Sequence, residues 1–253
     1  MNKIILSLVL ALIVALPSYA VTVTDILETV DKLQKLDEDI TAKVSIVRKD
    51  VEQGTKLMEA VYYAKDADDL FLIVMTKPES EKGNGYLKSG KNFWMYRRNT
   101  RTFQHISRDE SIAGTDANAG DFEAPKYVEC YESVKDSNGK EVIKEKMLGK
   151  IPVYEIEITA TVPDVDYPQK KMWVRCDNYL PLKEQGFSLS GSLMYTQYFL
   201  KYTKVDKKFI AKKQLVVDEF EKGNRTLWEI EDISFSPVED TVFTKAYLEN
   251  LSK

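Results

Sequence analysis

The run Ser188-Leu189-Ser190-Gly191-Ser192 and the single histidine, His105, are the residues whose types could supply a nucleophile and its base. A serine hydrolase also needs that base within hydrogen-bonding reach of the hydroxyl and an acid behind it. A Ser/Gly-rich run between two strand patterns is what a turn requires, and His105 alternates with Phe103 as an ordinary strand residue. Asp116, Asp121, Asp164 and Asp166 offer oxygen ligands for calcium, but without the spacing of an EF-hand loop. Cys130 and Cys176, with one histidine, are too few for a zinc cluster and are not spaced as a C-x-x-C redox pair; a single disulfide between them stays open. No G-x-S-x-G, H-E-x-x-H, P-loop or G-x-G-x-x-G motif occurs. The chain therefore reads as a non-enzyme that needs neither cofactor nor metal.

Binding is the chemistry that remains, and the segment from Gly85 to Phe122 carries its strongest signal. Side chains alternate across a strand, so Phe93 and Met95 share one face while Trp94 and Tyr96 share the other. Leu70 to Met75 is apolar on both faces as well. Such strands are either covered by protein on both sides or have one side lining a dry cavity. Candidates for the lining are Phe71, Ile73, Met75, Phe93, Trp94, Met95, Tyr96, Phe103 and Trp173, with the Phe93/Met95 and Trp94/Tyr96 pairs as alternative readings of the pleat. The polar, Gly/Ala-rich stretch from Ile112 through Ala113, Gly114, Thr115 and Asp116 to Gly120 reads as a lid or gating loop with little side-chain anchoring.

The elements that must position these residues run helix, many strands, helix. Thr22 or Thr24 caps a helix in which Val23, Ile26, Leu27, Val30 and Leu33 recur at helical spacing. Fourteen strand patterns follow between Ile40 and Phe235, including one over Lys126 to Val134 and one over Lys170 to Cys176, so both cysteines fall on expected strands. Turn pairs such as Asn138-Gly139 and Gly223-Asn224 favour hairpins and an antiparallel meander. Asp240 to Leu251, capped by Asp240 or Thr241, closes the chain as a second amphipathic helix.

Lys3, the apolar run Ile4 to Leu16 and the small residues before Ala20 read as an export signal cleaved after Ala20, leaving one domain from 21 to 253. The expected compartment is the periplasm. The whole chain has 36 basic and 40 acidic side chains; without Lys3 the basic count falls by one, for a formal charge of −5. That balance argues against a nucleic-acid partner, since no basic stripe offsets it.

Taken in order, Gly85 to Arg98, Thr100 to Ile106, the Gly-Thr-Asp of 114–116, Lys171 to Glu184, Asp232 to Phe235 and Phe243 to Leu248 resemble the LolA-like outer-membrane lipoprotein-sorting proteins. The resemblance spans most of the mature chain and departs from the family pattern at Arg98 and at Asn118 to Phe122. It implies a mainly β fold: an incomplete, half-open antiparallel β-barrel of about eleven or more strands with N-terminal, lid and C-terminal helices. It also implies a carrier of lipid or acylated lipoprotein, served by an RND-type or ABC-type inner-membrane export complex. The alternative is a non-enzymatic adaptor or scaffold whose barrel is filled by its own side chains. A lipid hydrolase using Ser190 or Ser192 with His105 ranks third.

Overall fold

The structure is a computed structural model that describes residues 21–251 except 37, 124, 125 and 164. The expected export signal and Asp164 lie outside the described residues.

Helix α1 (Val23–Gln34) starts in a capping box: the Thr22 hydroxyl accepts from the Asp25 N–H at 3.1 Å while the Asp25 carboxylate accepts from the Thr22 N–H at 3.2 Å. Its buried face is Val23, Ile26, Leu27 and Val30, the stripe its helical spacing sets. The strands are β1 (Ile40–Asp50), β2 (Gly54–Lys65), β3 (Leu70–Lys77), β4 (Gly85–Ser89), β5 (Asn92–Arg97), β6 (Thr102–Ile106), β7 (Tyr131–Ser133) and β8 (Ile143–Leu148). They continue with β9 (Ile151–Ala160), β10 (Gln169–Arg175), β11 (Pro181–Phe187), β12 (Leu193–Val205), β13 (Lys208–Asp218) and β14 (Arg225–Ser234).

All fourteen strands form one antiparallel sheet in the order β6-β5-β4-β3-β2-β1-β14-β13-β12-β11-β10-β9-β7, with β8 also on β9. Two meanders, one from each half of the chain, are joined where β1 pairs with β14. The sheet is an open barrel, with β6 at one edge and β7 and β8 sharing the other along β9.

Lys126 to Val134 is not a continuous strand. Its first half is the short helix α2 (Tyr127–Cys130), because both oxygens of Asp31 on α1 accept its leading N–H groups, from Tyr127 and from Val128, each at 3.0 Å. Cys130 therefore ends a helix, and Cys176 follows β10 rather than belonging to it. The closing segment likewise divides into a 3-10 turn over Asp240–Phe243 and helix α3 (Lys245–Asn250), with Thr244 as the cap: its hydroxyl accepts from the Tyr247 N–H.

The two-faced strands are covered on both sides. Phe71, Ile73 and Met75 of β3 enter a concave-face core with Ile46, Phe93, Ile112 and Trp228. Leu72 and Val74 point outward with Leu87 and Tyr96, beneath Val238, Phe243 and Leu248 of the C-terminal segment. At the far end of the concave face, α1 packs on Ile156, Ile158, Met172 and Val174 of β9 and β10. The concave face is thus filled at both ends and open in the middle.

Candidate functional site

The middle of the concave face holds a cavity of about 290 Å³. Register fixes its wall. Val44 on β1 stands opposite Ile230 on β14, and Trp228 lies across from Gln214 on β13, which lies across from Phe199 on β12. Val216, Ile210 and Phe209 extend this surface, while Tyr62 and Phe122 face it from β2 and from the loop after β6. Within the wall, the Gln197 amide donates to the Gln214 carbonyl oxygen at 2.6 Å. Trp228 is 6% exposed, and its indole N–H has no acceptor among the described residues.

One end of the cavity is charged. Lys170 of β10 pairs with Glu184 of β11 at 2.8 Å, and Glu184 also accepts from Tyr127 at 2.6 Å and from Tyr195. Burial pushes the Glu184 carboxyl up, but Lys170 and the tyrosine hydroxyls outweigh it and hold the carboxyl below its ordinary value. Burial likewise pulls the Lys170 ammonium down, and Glu184 more than offsets this. The pair is ionised, with its charge satisfied on both sides. Arg108 reaches Glu123 at 3.0 Å and Asp166 at 3.7 Å, while Lys88, 2% exposed, ties Glu123 to Asp69 at 2.9 and 2.6 Å.

Asp121 differs from these carboxylates. It accepts the Asn118 N–H at 2.8 Å and has no basic partner among the described residues. Its side chain is exposed, yet the protein packed around it hinders solvation of the charge and raises its carboxyl to about 6. Asp121 is one of the residues that line the cavity, and its exposure to solvent moderates the shift.

The loop expected to gate the site is anchored. Ile112 is fully buried, and Ala117 and Ala119 pack beside it in the concave core. The Ala113 N–H donates to the Tyr86 hydroxyl at 2.7 Å, and the Thr115 hydroxyl donates to the Ile112 carbonyl at 2.7 Å. Asp116 accepts from the Thr226 hydroxyl at 2.6 Å, and Arg48 donates to the Gly114 carbonyl. Its glycines serve geometry: Gly114 has φ +67°, and a Cβ at Gly120 would sit 2.6 Å from Arg108 Nε. Expecting little side-chain anchoring overlooked Ile112, which fills the β1–β6 half of the barrel as a plug.

Of the expected site residues, Gly120 lines the cavity and the nine strand residues do not. Phe71, Ile73, Met75, Phe93 and Met95 lie in the core beneath the plug. Trp94, Tyr96 and Phe103 are on the opposite face, where Lys245 stands over the Trp94 ring. Trp173 donates its N–H to Glu155 at 2.9 Å and carries Lys183 over its ring at 4.3 Å.

Cys130 and Cys176 are unbridged. The Cys130 carbonyl bonds to Thr161 just past one end of β9, whereas the Cys176 N–H bonds to Pro152 near the other. At about 3.3 Å per residue these anchor points are roughly 30 Å apart, far outside the ~7 Å limit for a disulfide.

Ser188, Ser190 and Ser192 bond one another within their turn at 2.9 and 3.3 Å, while His105 on edge strand β6 bonds Asn92 at 3.2 Å. Among the described residues no group of three or more His, Cys, Asp or Glu is placed to hold a metal ion. No helix among them is long and apolar enough to cross a membrane.

A family model described as an uncharacterized protein matches residues 67–250. No curated protein matches the chain in sequence. In structure it is similar to a LolA superfamily protein from Nitrosomonas europaea, at 20% identity and TM-score 0.74, covering 90% of this chain and 100% of that one. It is also similar to a domain from Vibrio parahaemolyticus described as an outer membrane lipoprotein-sorting protein, at 19% identity and TM-score 0.74, covering 89% and 97% of the two chains. A DUF1329 family protein from Desulfovibrio piger aligns at 19% identity and TM-score 0.76 over the same shares.

Proposed function

Because this chain belongs to the family whose model spans residues 67–250 and has the LolA-like fold, we propose that it is a periplasmic carrier that shelters acyl chains of lipids or lipoproteins on the way to the outer membrane. The observation that carries this reading is the cavity of about 290 Å³ over the apolar wall of Val44, Trp228, Ile230, Ile210 and Val216. The two ends of the same concave face are packed with side chains while its centre stays open.

The volume sets a scale for the cargo. A methylene occupies about as much space as a water molecule, roughly 30 Å³, so the cavity holds on the order of ten methylenes. At about 0.8 kcal/mol each, their burial contributes about 8 kcal/mol, the scale of micromolar binding before the costs of immobilisation. Sequence resemblance alone supports loading by an ABC-type or RND-type inner-membrane complex.

The test is native mass spectrometry and lipid extraction of protein purified without detergent. Copurifying acyl lipid at about one per chain is expected. Protein that carries none, and binds none when acyl chains are added, would turn the reading to the second one: an envelope adaptor whose barrel is self-filled. The Ile112 plug is the observation that favours that alternative.

A further inference from the structure

From the polar groups that face the cavity we infer that its ligand is a single-chain amphiphile whose head carries a positively charged nitrogen and, next to the chain, a hydrogen-bond acceptor oxygen. The inference rests on the carrier reading and adds the chemistry of the head.

Charge supplies the first part. Five carboxylates line the cavity against three basic side chains. The basic groups are engaged: Lys170 with Glu184 at 2.8 Å, Arg108 with Glu123 at 3.0 Å, and Lys126 with Asp69 at 3.2 Å. Asp121 lines the cavity, accepts the Asn118 backbone N–H and has no cationic partner among the described residues. An anionic head entering here meets an excess of like charge and bases already paired with carboxylates, the Arg108 Nε–H, 3.7 Å from Asp166, being the one cationic donor there without a hydrogen-bond acceptor among the described residues. An ammonium meets a carboxylate that no basic side chain pairs with among the described residues.

Trp228 supplies the second part, independently. A buried N–H without an acceptor is uncommon and costs free energy. The Trp228 indole N–H is such a group, on a residue that lines the cavity. Trp228 and Asp121 line the same cavity, and the Trp228 ring packs on Phe122, the residue after Asp121, with centroids 5.2 Å apart. A donor and an unpaired carboxylate on the lining of one cavity fit an ester, amide or hydroxyl oxygen and a cationic nitrogen on the head of one ligand. The apolar wall then takes the chain.

Four probes of one chain length separate these features: decanoylcholine, with ester and cation; decyltrimethylammonium, with cation alone; methyl decanoate, with ester alone; and decanoate, an anion. Binding is read by isothermal titration below micelle formation. Decanoylcholine is expected to bind about tenfold tighter than methyl decanoate or decanoate, and about threefold or more tighter than decyltrimethylammonium, the scale of one hydrogen bond. Asp121→Asn should erase the advantage over methyl decanoate, and Trp228→Phe the advantage over decyltrimethylammonium, each leaving the other intact. Decanoate binding as well as decanoylcholine, or preferences unmoved by both variants, overturns the head-group inference while the carrier reading stands. Binding of none of the four overturns both.

Discussion

Trp228 on β14 and Phe122 in the loop after β6 meet with ring planes at 69° and centroids 5.2 Å apart, joining wall and loop at the cavity. Phe122 also packs on Phe71 at 5.8 Å and on Tyr62 at 6.0 Å, so one half-buried ring ties three parts of the barrel together. Phe122→Ala should cost about 2–3 kcal/mol, below the 3–5 of a fully buried phenylalanine, read as a lower urea midpoint with unchanged slope. The same variant enlarges the cavity and should admit longer acyl chains.

The Lys170–Glu184 pair predicts an asymmetric mutational pattern. Glu184→Gln leaves a largely buried ammonium without its counter-charge and should destabilise by about 3 kcal/mol or more. Lys170→Met combined with Glu184→Leu should recover much of that loss. The pH dependence follows from direction. Glu184 is held below its ordinary carboxyl range in the folded state, so its contribution is present above about pH 4.5 and lost as pH falls through the lower folded value. Lys170 is held above its ordinary range, so its contribution persists through neutral pH and is lost only at strongly alkaline pH. Urea titrations of both variants from pH 3 to pH 8 check this.

Asp121 has the opposite sign. Burial raises its folded carboxyl to about 6 from 3.8, so the folded state binds the proton more tightly and the ionised group costs some stability at pH 7 and above, a cost that solvent at its exposed side chain reduces. Of the charged groups around it, Asp166 and Glu184 raise this value and Lys170 lowers it. Asp121→Asn should therefore raise the melting temperature at pH 8, with the gain shrinking through pH 6 and absent below about pH 4. A loss of stability at pH 8 would contradict the assignment.

The cysteines give a simple chemical prediction. Unfolded under non-reducing conditions after air oxidation, the monomer should present two titratable thiols per chain, as the separation along β9 requires. Zero thiols in a monomer would mean that Cys130 and Cys176 have paired.

Strands were the most legible part of the chain, and β3, β6 and β9 have the bounds their alternation indicates. The two-faced pattern at Phe93 to Tyr96 was readable as such, but not its cause. Cover comes from Ile112 on one side and from Phe243 and Leu248 on the other, segments distant in sequence whose docking no local pattern reveals. The cavity was harder still. Its wall joins β1 to β12, β13 and β14, and its polar members, Gln197, Gln214 and Glu184, read in isolation as solvent-facing positions. Trp228, alternating with Ile230 on β14, was the one available signal, and only the β1–β14 pairing gives it meaning. Lys126 to Val134 was misread because the Asp31 carboxylate that starts α2 sits 96 residues away from Tyr127.

The carrier account turns on whether acyl chains lie against Trp228. The chain has three tryptophans: Trp228 lines the cavity, while Trp94 packs on the outer-face core and Trp173 is held by Glu155 and Lys183. In a Trp94→Phe, Trp173→Phe background, emission reports the cavity alone. Titration with a ten-carbon acyl chain should shift and saturate that emission at one ligand per chain. An emission spectrum unmoved by any acyl chain, in folded protein shown by extraction to be free of lipid, would contradict the account.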